Sequence, residues 1–157
     1  MNRPALRGVG EGRRFCLVVS RFNKPVTDAM AAAARACLEA HGAAPEDVRT
    51  VAVPGAWELP QAVQWVLDAG EIDGVIALGC VIRGETPHFE YVSLAATVGL
   101  EAVARESGVP VAFGVLTTND GDQARARSGG DKGNKGEEAA LAVLEMCGLA
   151  EDLRSPS

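Results

Sequence analysis

The stretch that decides the fold is FCLVVSRFN, residues 15–23, in which an unbroken apolar run ends in polar and aromatic residues. Three further apolar runs, rich in β-branched residues, follow at residues 48–53, 75–78 and 109–116. Apart from Arg49, these runs contain no charged residue. Such runs are typical of strands in a parallel sheet that is covered on both faces. We therefore predict four buried parallel strands.

Segments with the 3.6-residue apolar period of helices separate these runs. They lie at about residues 26–37, 59–67, 91–102 and 135–148, and a shorter helix is predicted at 120–127. The element order is therefore βαβαβαβαα. Because strand–helix–strand alternation produces right-handed crossovers, this order predicts an α/β fold. The expected architecture is a three-layer α/β/α sandwich with a central four-stranded parallel sheet, flavodoxin-like in kind.

The periodicity also predicts which helix faces are buried. The expected inward residues of the third helix are Tyr91, Leu94, Ala95, Val98 and Ala102. Those of the last helix are Ala139, Ala140, Val143, Leu144 and Cys147. The alanine-rich helices permit close helix–helix packing, which weakly favours an oligomer.

The length of 157 residues suits one domain. We place that domain at residues 13–150, between an N-terminal arm at 1–12 and a flexible C-terminal tail at 151–157. The arm could become ordered against a neighbouring subunit.

The charge balance limits the partners of the chain. The formal net charge is −6, which argues against general binding to nucleic acid or to a membrane surface. No apolar run approaches the roughly 20 residues that a membrane span needs. Residues 1–14 carry basic side chains with no apolar stretch after them, so no signal peptide is predicted and a cytoplasmic location is expected.

The four cysteines form no CxxC pair, so a zinc site or a redox motif has little support. Cys16, Cys37 and Cys147 lie in apolar runs or faces and are interpreted as small buried hydrophobic residues. Cys80 lies at a strand end, where a nucleophile would need an activating base. We interpret it as part of the wall of a site, to which it contributes backbone groups.

Polar and aromatic residues gather where the predicted strands end, at residues 20–23, 53–58, 79–88 and 117–120. In open α/β sheets, ligands bind beyond the carboxyl ends of the strands. The four strand ends therefore predict one binding site at this edge of the sheet.

The third strand end is the richest, because His88 is expected to open the third helix there. Unpaired N–H groups at a helix N-terminus bind phosphate well. A histidine at such a place suits general acid–base catalysis. The alternative is a helix-capping or surface histidine.

Other residues at or near the strand ends have two interpretations each. Phe22 and Trp57 could stack on a flat ring or could fill the core. Asn23 and Glu58 could hydrogen-bond a polyol or a heterocycle, or could cap helices.

A glycine-rich stretch at residues 128–136 is flanked by Arg127 and Lys135. It is not a Walker loop, because no Gly-Lys pair is followed by Ser or Thr. Arg127 could clamp a phosphate through two parallel hydrogen bonds. The alternative is a solvated basic loop between two helices.

Taken together, these strand ends carry a family resemblance. The motifs are SRFN at 20–23, VPGAWELP at 53–60, ALGCVIRGETPHFEYV at 77–92, FGVLT at 113–117 and GNKG at 133–136. In order and spacing they resemble the 6,7-dimethyl-8-ribityllumazine synthases, which catalyse the penultimate step of riboflavin biosynthesis. The segment around His88 is the most specific part of the match.

The resemblance implies the condensation of 5-amino-6-(D-ribitylamino)uracil with 3,4-dihydroxy-2-butanone 4-phosphate, with release of phosphate and water. It implies no metal and no organic cofactor. The residues expected at the pyrimidine and the ribityl chain are Phe22, Asn23, Ala56, Trp57, Glu58, Cys80, Val81, Ile82, Phe113 and Lys135. Phe113 is expected to reach in from the adjacent subunit. Glu85, Thr86 and Arg127 are expected to hold the butanone phosphate, and His88 to transfer protons.

The resemblance also implies a homo-oligomer, with a pentamer as the minimum and a decamer or a sixty-subunit shell as larger forms. Riboflavin synthase is a candidate partner. Three alternatives are the archaeal type of riboflavin synthase, a non-catalytic lumazine- or flavin-binding protein or shell scaffold, and a generic nucleotide-binding domain. The match around His88 speaks against the first, and the lack of a Gly-x-Gly-x-x-Gly after the first strand against the last.

Overall fold

The computed structural model describes residues 5–156, and its centre is a four-stranded parallel sheet in the order β2-β1-β3-β4. The strands are β1 Phe15–Ser20, β2 Val48–Val53, β3 Gly74–Ile82 and β4 Val111–Thr118. The five helices of the described residues are α1 Lys24–Ala40, α2 Leu59–Asp68, α3 His88–Ser107, α4 Gly121–Ala126 and α5 Lys135–Arg154. The predicted three-layer α/β fold is confirmed.

The alternation of side chains along β1 explains why both faces of the sheet are covered. Phe15 and Leu17 point into a core shared with α1 and α5, while Cys16 and Val18 point into a second core shared with α2 and α3. All four side chains are at most 1% exposed. The sheet therefore lies between two helical layers, and its carboxyl edge is left open for a site.

The third strand is longer than the apolar run predicted. Residues 80–82, which the sequence placed in the loop after the strand, continue the ladder and pair with Leu116, Thr117 and Thr118 of β4. The glycine-rich stretch also forms more than a loop, because Ser128–Gly130 pairs antiparallel with Gly133–Asn134. This two-stranded hairpin, β5 and β6, separates α4 from α5.

The last helix does not end at Gly148 as predicted but continues to Arg154. The φ angle of Gly148 is not positive, so this residue does not form the left-handed cap that ends many helices. Residues 151–154, expected in the flexible tail, are therefore helical. In the arm, Leu6 is buried and the N–H of Gly10 donates to the carbonyl of His41 at 2.9 Å. Residues 1–4 and 157 lie outside the described part, and the division into arm, domain and tail stays a prediction.

The predicted buried face of α3 is wrong. Tyr91, Leu94 and Val98 are 69%, 60% and 57% exposed, and the helix instead buries Ala96 and Leu100. The buried face of α5 is as predicted. The periodicity identified an apolar stripe on α3, but in a single chain this stripe is exposed and another face of the helix packs against the sheet. Between residues 5 and 156, no helix is long and apolar enough to span a membrane.

Candidate active site

A cavity of about 540 Å³ opens at the carboxyl ends of β1, β2 and β3. This volume is within the range of small-molecule sites. The cavity is lined by Phe22, Pro54, Gly55, Ala56, Trp57, Glu58, Cys80, Val81, Ile82, Gly84, Thr86, His88, Phe89 and Val92. Three of the predicted strand ends therefore meet at one site.

The aromatic residues at the rim are not core residues. Phe22 is 71% exposed and Trp57 is 62% exposed, which excludes the interpretation that they fill the core. The N–H groups of Arg21 and Phe22 donate to the carbonyls of Val53 and Pro54, at 2.8 and 3.1 Å. These bonds fix the backbone and leave the Phe22 ring free to stack on a flat ligand.

Asn23 joins two walls of the cavity. Its side-chain amide donates to the carbonyl of Cys80 at 2.9 Å, across from the end of β1 to the end of β3. Its φ of 59° places it in the left-handed region, which asparagine tolerates better than most residues. Asn23 occupies the N-cap position of α1, but its side chain makes no capping hydrogen bond and is bonded to Cys80 instead.

Glu58 both makes a capping contact and lines the cavity. One carboxylate oxygen accepts the N–H of Gly55 at 2.9 Å, which is a capping contact. The side chain also lines the cavity, where its second oxygen can accept a hydrogen bond from a polyol.

His88 is the first residue of α3, as predicted, and its side chain lines the cavity. Pro87, not His88, is the N-cap residue, so the capping alternative is wrong. Within residues 5–156 the imidazole has no hydrogen-bond partner, which leaves both of its nitrogens available for a ligand. The imidazole therefore lies where it can exchange protons with a molecule in the cavity.

Cys80 contributes to the wall as predicted. Its side chain is 2% exposed, and burial raises the pKa of the thiol to about 11 from 9.0. A thiol with a raised pKa stays protonated near neutral pH and is a poor nucleophile. The carbonyl of Cys80 takes part in the site through its bond to Asn23.

We expect Cys80→Ser to keep kcat within about threefold of the parent, because the thiol performs no chemistry. Steady-state turnover at pH 7 measures this. Because the pKa of Cys80 is raised, we also expect iodoacetamide to alkylate this thiol slowly at pH 7 and faster only well above pH 9. Loss of nearly all turnover in Cys80→Ser, with fold retained, would instead make the thiol catalytic.

Five predicted site residues do not line the cavity of a single chain, and Asn23, which bonds the carbonyl of Cys80, is one of them. Phe113 lies on the edge strand β4 and is 39% exposed. Arg127 follows α4 and donates to the carbonyl of Gln123 at 3.1 Å. Lys135 begins α5, where its ammonium lies 3.3 Å from Glu138. Glu85 lies in the loop between two lining residues and does not itself face the cavity.

The lining residues that were not predicted include Pro54, Gly84, Phe89 and Val92. Each lies inside a quoted motif, so the motifs as a whole contained the signal. Among the described residues, no group of three or more His, Cys, Asp and Glu side chains could hold a metal ion.

Residues 12–151 match the model of the 6,7-dimethyl-8-ribityllumazine synthase family. The chain belongs to this family. The 6,7-dimethyl-8-ribityllumazine synthase of Salinibacter ruber (strain DSM 13855 / M31) is 50% identical over 145 residues, which cover 92% of this chain and 93% of that protein. The lumazine synthase family is a family of transferases, and the match extends over every strand of the sheet and over the cavity.

Proposed function

We propose that the chain condenses 5-amino-6-(D-ribitylamino)uracil with 3,4-dihydroxy-2-butanone 4-phosphate to 6,7-dimethyl-8-ribityllumazine, releasing phosphate and water. The observation that carries the proposal is the cavity in which exposed Phe22 and His88 face one volume, in a member of the lumazine synthase family. The cavity thus combines a stacking surface with a proton-transfer group.

The pyrimidine would stack on Phe22 and meet the backbone of residues 80–82. The ribityl chain would lie along residues 56–58, where the free oxygen of Glu58 accepts from a hydroxyl. An amine that attacks a ketone must lose a proton while the oxygen gains one. His88, at the mouth of the cavity, is the group placed to move these protons.

Holding two substrates together supplies much of such a rate, because it replaces a bimolecular encounter with an oriented complex. The chain needs no strong nucleophile for this reaction. The N-terminus of α3 offers backbone N–H groups, which stabilise an anion.

Among residues 5–156, no lysine or arginine lines the cavity of a single chain. A departing phosphate needs fixed positive charge as well as N–H donors. We propose that Arg127 supplies this charge, and that Phe113 and Lys135 complete the site from a neighbouring copy of the chain.

The exposed stripe of α3 supports this assembly. Tyr91, Leu94 and Val98 form an apolar strip on the helix that also contributes Phe89 and Val92 to the cavity. Contiguous exposed apolar surface of this kind marks protein–protein contacts. We propose a homo-oligomer, with a pentamer as the smallest form, in which α3 packs against the neighbour.

We also propose a cytoplasmic location. Cys16, Cys80 and Cys147 are buried and form no disulfide with any other described residue. Reduced thiols are the rule in the cytosol, where glutathione and thioredoxin prevent disulfide formation.

Mixing the two substrates with purified protein and following the absorbance of the lumazine tests the proposed reaction. We expect product to form together with an equal amount of inorganic phosphate. Tight binding of the lumazine without any turnover would overturn the proposal and favour a non-catalytic lumazine-binding protein. Turnover with lumazine alone, giving riboflavin, would favour riboflavin synthase.

Arg127→Ala is expected to raise KM for the phosphorylated substrate by roughly tenfold to a hundredfold, since a charge-assisted contact contributes about 1.5–3 kcal/mol. KM for the pyrimidine should change little. Steady-state kinetics with each substrate varied in turn measures the two constants. A rise confined to the pyrimidine would contradict the assignment.

Co-expression of Arg127→Ala chains with His88→Ala chains tests whether the two residues act from different copies. If they do, some sites in mixed oligomers combine an intact His88 with an intact Arg127, and activity exceeds that of either variant alone. If both residues act from one chain, the mixture is no more active than its components. The activities are compared at a concentration of the phosphorylated substrate far below its raised KM in Arg127→Ala, where both variants turn over slowly.

Leu94→Glu is expected to dissociate the oligomer, because it places a charge in the centre of the exposed strip on α3. Light scattering on a sizing column should show monomers. The matched control is Leu153→Glu, at an apolar position of α5 that is 78% exposed, which should leave the α3 contact intact. Oligomers of unchanged mass in Leu94→Glu would place the contact elsewhere.

A further inference from the structure

We propose that Arg83 is a positioning residue that fixes the loop carrying His88, an inference that rests on the proposed function. Arg83 follows the last residue of β3 and precedes the Gly84–Thr86 segment of the cavity rim. The sequence analysis assigned it no role.

Contacts of Arg83 reach two elements of the fold. On one side, its backbone N–H donates to the carbonyl of Thr118 at 2.8 Å, and its Nε donates to the Oδ1 of Asn119 at 3.1 Å. On the other side, its Nη1 lies 3.6 Å from the carboxylate of Glu90. Its guanidinium carbon lies 4.6 Å from the ring centroid of Phe89. One side chain therefore joins the end of β4 to the first turn of α3.

The loop needs such an anchor, since it has few contacts of its own. Residues 84–86 are exposed and make no hydrogen bond to any other part of residues 5–156. A Cβ added at Gly84 would meet open space. The placement of His88 relative to the cavity thus depends on the first turn of α3 and on what holds that turn, which includes the Arg83 contacts with Phe89 and Glu90.

The same network continues to the proposed phosphate-binding residue. The N–H of Asn119 donates to the side-chain oxygen of Gln123 at 2.8 Å, and the carbonyl of Gln123 accepts from Arg127 at 3.1 Å. Arg83 and Asn119 therefore connect the first turn of α3, which carries His88, to the end of α4, which precedes Arg127.

Two other roles for Arg83 are weaker. A solvent-exposed ion pair with Glu90 alone would contribute little, but the guanidinium also bonds Asn119 and covers the Phe89 ring. Direct binding of the substrate phosphate would require donors aimed at the cavity, whereas Arg83 does not line the cavity and its Nε and Nη1 are directed to Asn119 and Glu90. The two roles differ in kinetics, because a phosphate ligand changes KM and a positioning residue changes kcat.

The test is the steady-state kinetics of Arg83→Met and Asn119→Ala across pH. We expect Arg83→Met to lower kcat by roughly tenfold or more, since small misplacements of a catalytic group reduce the rate steeply. KM for the phosphorylated substrate should change by less than about threefold, as expected when transition-state contacts alone are lost. Asn119→Ala should act in the same direction with a smaller effect. The pH dependence of kcat that disappears in His88→Ala should be displaced in Arg83→Met.

Arg105→Met is the matched control, because Arg105 is an exposed arginine of α3, far along the helix from His88, that pairs with Glu101 at 3.1 Å. Its kcat and pH profile should equal those of the parent. An unchanged kcat in both Arg83→Met and Asn119→Ala would overturn the inference, as would a rise in KM for the phosphorylated substrate alone. Failure of the parent protein to form lumazine would instead overturn the proposed function.

Discussion

Replacing His88 with alanine is expected to lower kcat by roughly 10²-fold, at the lower end of the effect typical for a general acid–base group. The fold should persist, since His88 is exposed and its side chain bonds no other described residue. The lower end is expected because the cavity also accelerates the reaction by holding the two substrates together. Turnover of the two substrates measures the loss.

The matched control for this variant is His41→Ala, at the other histidine of the chain. His41 follows α1, where its Nδ1 lies 2.7 Å from the carbonyl of Cys37, and it does not line the cavity. Turnover should therefore be retained in His41→Ala. Added imidazole should restore part of the activity of His88→Ala, because it can enter the space left by the side chain. Full turnover in His88→Ala without rescue would remove this residue from the mechanism.

Gly136→Ala is expected to destabilise the protein by roughly 3 kcal/mol or more, the upper part of the range for overpacking a tight contact. A Cβ at Gly136 would overlap the carbonyl oxygen of Met30 and lie 2.6 Å from its carbonyl carbon. Neither atom can rotate away, because both belong to the backbone of α1. The start of α5 must therefore shift, which also disturbs the cap that Asn134 makes on the N–H of Gly136 at 2.8 Å. Chemical denaturation measures the change.

Gly148→Ala is the matched control in the same helix. A Cβ there would meet its nearest neighbour, a methyl group of Val9, at 3.9 Å, which is ordinary contact. Alanine is favoured over glycine inside helices by up to about 1 kcal/mol, so this variant should be as stable as the parent or slightly more so. Equal stability of Gly136→Ala and the parent would show that α1 and α5 do not approach as closely as described.

The strands were predictable because burial on both faces leaves a signal in the sequence itself. The run at residues 15–19 is apolar throughout, since its alternate side chains enter two different cores. The end of β3 was less predictable. Residues 80–82 pair with β4 as a strand although they also line the cavity, and a strand end of that kind carries no separate pattern.

The face of α3 was mispredicted for a physical reason. Apolar residues that contact a neighbouring chain have the same period as residues that contact the core of their own chain. Tyr91, Leu94 and Val98, which we propose contact a neighbouring chain, therefore looked like core residues, while the inward face of α3 uses Ala96 and Leu100. Periodicity reports that a face is apolar, but not which partner covers it.

Some residues of the proposed site were predictable from the sequence and others were not. Phe22, Asn23 and His88 were predictable, because the carboxyl ends of parallel strands meet at one edge. Arg127 and Lys135 do not line the cavity of one chain, and we propose that the site is completed by a second copy. The proposed role of Arg83 depends on contacts between elements that are far apart in sequence, which the sequence does not reveal.

The claim on which the account depends is that the cavity at the carboxyl edge of the sheet binds the substrates. A crystal structure of the protein with bound 6,7-dimethyl-8-ribityllumazine and inorganic phosphate tests it most directly. We expect the lumazine ring to stack on Phe22, and the phosphate to lie beside the start of α3 near His88 and an Arg127 of some copy of the chain. A lumazine bound elsewhere, for example in the polar cleft between Arg13 and Arg154, with the Phe22 cavity empty, would contradict the account.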